Sequence, residues 1–347
     1  KVMKICILYS SPKLGDLFLQ LPFIKAISEK YKTKVSICVN QHINIKSILE
    51  EQSYIDEVIE SYFRRGRYFF QDLLNLSSEL KKKNFDKAFI LEKTKGPAMA
   101  CKLARIYKIY GFGIGSQKYF VNNKALLEKE DLRYNYTEQS KKFLRKLNIN
   151  VNFDDKFLNL KNLENFTFLK EFKKFPKPWV CLAVDSTEKN RIWPMKNFSM
   201  VADQLFEKKL GNTFFVINSQ NYENYFQNLI NSSKNPNLFL DCKKYNRKEI
   251  IKIISLCEYF VGIDSGPSCV AGALQKKTFC IIGATDATLP QYGSMIKIKS
   301  DIYNSNREIG IKRCGDNFAS DNSEVKTIKA EYVTDVIINN LKLSRSF

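Results

Sequence analysis

Short runs of β-branched and apolar residues, each followed by a longer amphipathic stretch, recur along both halves of this chain. Strands covered by helices on both faces read as continuous apolar runs, so this alternation points to βα units wound around parallel sheets. In the first half the strand-like runs are 5–9, 35–39, 87–91 and 108–112, with helices expected over 20–30, 70–83 and 96–106. The second half repeats the pattern with strands at 179–184, 213–218, 238–240, 259–263 and 278–282 and helical periodicity at 195–208, 222–231, 247–256 and 330–341.

A chain of 347 residues is too long for one comfortable core and suits two domains. The polar and aromatic stretch 161–178, ending in Phe175-Pro176-Lys177-Pro178, reads as the linker between domains 1–160 and 179–325. A closing helical segment, 326–347, has the N-terminal domain open to it as a packing surface.

No apolar run approaches the roughly 18 to 20 residues of a membrane-spanning helix, so none is expected. The basic, briefly apolar N-terminus is interrupted by Ser10-Ser11-Pro12-Lys13 and reads as a first buried strand rather than a signal peptide, which places the protein in the cytoplasm. Cys6, Cys38, Cys181 and Cys280 sit inside apolar runs and are expected as buried thiols. With no CxxC and a single histidine, His42, a zinc site of imidazole and thiolate is not expected.

The formal net charge of +20 suits an anionic partner: nucleic acid, a membrane face or a phosphorylated substrate. Alternatively it reflects a general richness in Lys, Asn and Ile, with runs such as Lys81-Lys82-Lys83 forming solvated helix faces. No nucleic-acid-binding module is recognisable, so nucleic acid is not an expected partner.

The most informative segment is the apolar run 259–263, which breaks at Asp264-Ser265-Gly266-Pro267 into a helix-compatible stretch. A strand turning into a helix through small residues presents unpaired N–H groups and a positive helix end, which suits a phosphate. Equally, Asp264 or Ser265 is a candidate helix N-cap. After the run 179–184 come Asp185, Ser186, Thr187, Lys189 and Arg191, then Trp193-Pro194. Hydroxyls and cations just past a strand's carboxyl end suit a diphosphate, although Lys189 and Arg191 also fit ordinary loop charges. Glu223, beyond the run 213–218, is placed to accept from ribose hydroxyls or to be an exposed helix-start carboxylate. Asp16, after Ser10 to Gly15, stands at the mouth of the first sheet as a candidate general base or an N-cap. Gly111, Gly113 and Gly115 miss the dinucleotide spacing, and no phosphate loop GxxxxGK[ST] or GxSxG elbow occurs.

Taken in order, Leu14-Gly15-Asp16 with Leu21-Pro22, a basic residue before Trp193-Pro194, and Asp264-Ser265-Gly266-Pro267 followed by Ala271 and Gly283 resemble glycosyltransferase family 9. These are the heptosyltransferases of the lipopolysaccharide inner core, and the resemblance runs over nearly the whole chain. It implies the α/β architecture called GT-B, two Rossmann-like domains with parallel sheets facing across a cleft. It further implies inverting, metal-independent transfer of heptose from ADP-heptose, with no cofactor beyond that nucleotide sugar. By the same resemblance Asp16 is the general base, Ser186 and Thr187 lie near the donor phosphates, Arg191 replaces the usual lysine, and Glu223 contacts the donor ribose. Lys189 is a candidate second cation for the leaving diphosphate. Asp264, Ser265 and Gly266 match the turn that contacts sugar and phosphate. An anionic lipopolysaccharide-core glycolipid acceptor at the cytoplasmic face of the inner membrane would suit the basic surface, with Arg64, Arg65 and Arg67 as candidate contacts. Cys269 stands where the family commonly has histidine, which leaves room for another nucleotide sugar, such as a UDP-sugar used for a surface polysaccharide or glycoprotein, or for a non-catalytic relative.

Overall fold

Six of the apolar runs form strands in which every residue is buried, the condition of a parallel sheet sandwiched between helices. The computed structural model describes residues 2–124, 126–161, 167–218, 224–283, 292–301 and 323–343. Two compact units divide the chain between Asn159 and Leu160.

The first unit runs β1 (Ile5–Tyr9), α1 (Leu14–Tyr31), β2 (Val35–Asn40), α2 (Lys46–Glu50), β3 (Ile55–Ser61), α3 (Phe69–Lys83), β4 (Lys87–Ile90), α4 (Lys95–Leu103), β5 (Lys108–Gly111) and α5 (Tyr136–Lys146). Its sheet is parallel in the order β3-β2-β1-β4-β5, so the chain winds outward from β1 and then returns to the other side of it at β4. The strand order reverses between β1 and β4. On one face Leu73, Leu76 and Leu80 of α3 and Ala98 and Cys101 of α4 pack onto Cys6 and Cys38 of the sheet.

Three differences from the sequence expectations have physical causes. Helix α1 starts at Leu14 rather than near residue 20 and carries Pro22 inside it. Strand β3, IDEVIES, lies at the sheet edge with Asp56 exposed, and its acidic residues hide the apolar pattern. Helix α5, YTEQSKKFLRK, buries Thr137, Gln139 and Ser140 beside Phe143 and Leu144, so much of its inner face is polar and it offers few apolar residues to mark it.

The second unit runs α6 (Thr167–Phe172), β6 (Trp179–Ala183), α7 (Met195–Glu207), β7 (Thr213–Ile217), α8 (Tyr225–Ser232), β8 (Phe239–Asp241), α9 (Arg247–Leu256), β9 (Tyr259–Ile263), α10 (Gly266–Ala273), β10 (Thr278–Ile282), β11 (Met295–Lys299), α12 (Ser323–Lys326) and α13 (Ala330–Leu343). Its parallel sheet has the order β11-β10-β9-β6-β7-β8, reversing between β6 and β9. Within the stretch read as a linker, α6 buries Phe168 and Phe172, an i,i+4 pair; the Phe172 ring lies 4.5 Å from Phe215 and 6.4 Å from Trp179. Edge strand β11, MIKIK, alternates with lysine and was not expected from the apolar runs.

The last helix, α13, belongs to the second unit. Ala330, Val333 and Ile337 form one stripe of α13, buried in the core of the second unit with Trp193, Val201 and Leu205. A helix with a single apolar stripe settles where that stripe is covered. Helix α10 packs so closely that a Cβ added at Gly272 would lie 2.1 Å from the Tyr292 ring, itself 1% exposed. The four strand cysteines, Cys6, Cys38, Cys181 and Cys280, are buried free thiols, as expected.

Candidate functional site

In an open parallel sheet the loops on either side of the strand-order reversal splay apart, and their carboxyl-end turns frame a crevice. In the second unit those turns follow β6 and β9, adjacent and in register. This adjacency brings Arg191 to Asp264. Arg191 closes a short 3-10 turn, Lys189–Arg191, and its Nη1 donates to the Asp264 carbonyl oxygen at 3.2 Å and lies 3.4 Å from Asp264 Oδ2. The next residue, Ser265, is the N-cap of α10 with an extended backbone, yet its side chain makes no capping hydrogen bond. The N-cap alternative therefore does not account for the Ser265 hydroxyl.

Three groups in this cluster are buried without a hydrogen-bond partner among the described residues: Arg191 Nε, Asp264 Oδ2 and Ser265 Oγ. Such groups cost free energy unless a ligand or ordered water satisfies them, Asp264 Oδ2 the least because the Arg191 guanidinium stands 3.4 Å away. The amides of Gly266 and Ser268 belong to the first turn of α10, where helical geometry leaves N–H groups without an intrahelical acceptor. Ser268 Oγ donates to the Ile263 carbonyl oxygen at 2.5 Å and fastens the turn to its strand.

Trp193 serves as the anchor of the β6 turn. Its ring is fully buried and edge-on to Phe198 at 5.0 Å, and Nε1 donates to the Ile328 carbonyl oxygen at 2.9 Å. Ser186 is buried and its Oγ accepts from the Glu188 amide at 3.2 Å, whereas Thr187 and Lys189 are exposed. Glu223 lies outside the described residues. Sequence reasoning missed Asn218 and Asn190, whose buried Oδ1 atoms also have no partner among the described residues. Asn218 is the first residue past β7, and a polar residue directly after an apolar strand was the available signal.

The first unit has its own cluster at the reversal between β1 and β4. Asp16 is the third residue of α1, not its N-cap, which is Lys13. It is half-buried, and its Oδ2 accepts from Ser11 Oγ at 2.7 Å. Tyr9 and Tyr136 stand close by, with rings 5.9 Å apart. Burial raises the proton affinity of the Tyr9 hydroxyl, and the charges of Asp16 and Glu92 raise it further. Burial does the same to Tyr136, so both phenols stay neutral hydrogen-bonding groups beside Asp16.

Arg64, Arg65 and Arg67 follow β3. Asp72 accepts from Arg64 Nε at 3.1 Å and Nη2 at 2.6 Å, and the guanidinium lies 4.7 Å from the Tyr62 ring centre and 4.3 Å from that of Tyr68. Arg65 and Arg67 are exposed. Among the described residues no three His, Cys, Asp or Glu side chains group as a metal site, and no helix is long and apolar enough to cross a membrane.

The family model described as glycosyltransferase family 9 (heptosyltransferase) matches residues 73–310. No curated protein sequence matches the chain. Among solved structures, the E. coli ADP-heptose lps heptosyltransferase II superposes with a TM-score of 0.77 at 16% identity, covering 99% of this chain and 100% of that one. E. coli heptosyltransferase WaaC with ADP gives 0.66 at 16% identity over 98% of both chains. The iron-containing dodecameric glycosyltransferase TibC from enterotoxigenic E. coli gives 0.55 at 16% identity, covering 99% of this chain and 78% of that one.

Proposed function

The chain belongs to glycosyltransferase family 9 and has the GT-B type of fold, and from that premise we propose that it transfers heptose from ADP-heptose onto a lipopolysaccharide core acceptor, with inversion and without a metal. The observation that carries this reading is the set of unsatisfied buried groups on Arg191, Asp264 and Ser265 at the strand-order reversal of the second unit. Donor phosphates satisfy Ser265 and the first-turn amides of α10. Arg191, with Lys189 near it, neutralises charge growing on the leaving diphosphate, and Asp264 Oδ2 accepts from a sugar hydroxyl. Asp16 takes the proton of the acceptor hydroxyl as that oxygen attacks the anomeric carbon, and the nucleoside diphosphate departs from the opposite face. Exposed Arg65 and Arg67 meet an anionic acceptor at the membrane surface on the cytoplasmic side.

Thermal unfolding against ADP, UDP, GDP and CMP, each with magnesium or EDTA, tests the donor. Saturation at about 100 times the dissociation constant stabilises the native state by roughly 2.7 kcal/mol. ADP-selective stabilisation unaffected by EDTA supports the reading. Selectivity for UDP replaces the donor, dependence on a metal overturns the metal-free mechanism, and silence toward all four removes nucleotide binding from the reading.

A further inference from the structure

Glu92, the second residue past β4, is 5% exposed, and no lysine or arginine pairs with it among the described residues. Its two carboxylate oxygens accept from the Ser10 amide at 2.8 Å and the Ser10 hydroxyl at 2.7 Å. From the other side, Asn40 at the end of β2 donates through Nδ2 to the Ser10 carbonyl oxygen at 3.0 Å. The clamp is itself braced: fully buried Gln117 donates to the Glu92 carbonyl oxygen at 2.7 Å and to that of Thr94 at 2.8 Å. Ser10 is therefore held by amide, hydroxyl and carbonyl at once, and the following residue, Ser11, carries the hydrogen bond to Asp16.

Burial raises the proton affinity of the Glu92 carboxyl, so ionising it works against stability. A buried carboxylate without a cation is an expensive way to fasten a turn, since an amide of the same shape also accepts from the Ser10 N–H without a charge. Its place is nevertheless the strand-order reversal of the first unit, the counterpart of the position Asp264 occupies in the second.

We propose that Glu92 is a positioning residue: by clamping Ser10 it fixes the β1–α1 turn so that the Asp16 carboxylate is aimed for proton transfer. This rests on the reading of Asp16 as general base. Misplacing a reacting group by about 1 Å costs on the order of a hundredfold in rate.

The test compares Glu92→Ala and Glu92→Gln with the wild-type protein and Asp16→Ala. Four quantities are read: ADP release from ADP-heptose with a truncated core acceptor, ADP affinity, the unfolding midpoint, and hydrogen exchange of the peptide spanning residues 9–16. Glu92→Ala is expected to lower kcat by about a hundredfold and to speed exchange in that peptide, with ADP affinity unchanged. Glu92→Gln, which keeps the shape and the bond from the Ser10 amide, restores most of the rate and protection and unfolds at or above the wild-type midpoint. Wild-type turnover and wild-type exchange in Glu92→Ala overturn the proposal, as does a parallel fall of ADP affinity, midpoint and rate, which marks a merely structural role. A Glu92→Gln protein as impaired as Glu92→Ala also overturns it. Full activity of Asp16→Ala, or no turnover by the wild type, defeats instead the base or donor reading, and hydrogen exchange still decides whether Glu92 holds the turn.

Discussion

Arg191 and Asp264, 73 positions apart in sequence, meet at the carboxyl edge of one sheet, where the guanidinium donates to the backbone carbonyl of the aspartate and stands 3.4 Å from its carboxylate. The pair holds a cation beside the α10 N-terminus without exhausting it, because Nε is left without a partner among the described residues.

Removing that cation tests its share of donor binding. Hydrogen bonds to charged groups contribute about 1.5 to 3 kcal/mol, so Arg191→Ala is expected to weaken ADP binding by roughly tenfold to a hundredfold in titration calorimetry. Arg191→Lys keeps the charge but loses the planar fork and falls between the two. Unaltered ADP affinity in Arg191→Ala would take the guanidinium out of the donor site.

Asp16→Asn keeps the hydrogen bond from Ser11 and the shape of the side chain but cannot take up a proton. Turnover is expected to drop by about 10² to 10⁴ while ADP still binds as in the wild type. Should kcat stay within a few-fold of wild type, another group removes the acceptor proton.

Trp193 anchors the turn that carries Arg191, so its replacement acts first on stability. Trp193→Phe leaves the buried Ile328 carbonyl without its donor and opens a small cavity, for about 2 to 4 kcal/mol in chemical denaturation. On α10, Gly272→Ala drives a methyl into the Tyr292 ring and costs about 1 to 3 kcal/mol. If both variants unfold like the wild type, the turn and α10 are less tightly packed than their geometry requires.

The Arg64 ion pair sets a pH dependence. Arg64, donating to Asp72 through side chain and amide, holds the Asp72 carboxyl below its ordinary value of 3.8. A depressed carboxyl stabilises the fold above the unfolded value and loses that contribution as pH falls through the folded one. Asp72→Asn should therefore melt a few degrees below wild type at neutral pH, with the gap closing well under pH 3.8. A gap independent of pH would assign the loss to packing. Because Asp72 already occupies Arg64, charge reversal at Arg65 or Arg67 is expected to weaken acceptor binding more than at Arg64.

Apolar runs and turn residues act over a few positions, so the strands buried on both faces, the cysteines inside them, and the turns at Asp264-Ser265-Gly266-Pro267 and around Trp193 were legible along the chain. Local pattern failed where burial was carried by other means: α5 hides behind polar side chains, and β3 and β11 are edge strands whose charged residues interrupt the apolar run. That β6 neighbours β9 and β1 neighbours β4 became visible in the folded chain. Those pairings make Arg191, a candidate diphosphate cation that in the sequence also fits an ordinary loop charge, the partner of Asp264, and make Glu92, an unremarked residue after a strand, the clamp on Ser10. Strand order depends on contacts between residues far apart in the chain, and no short window of sequence contains them.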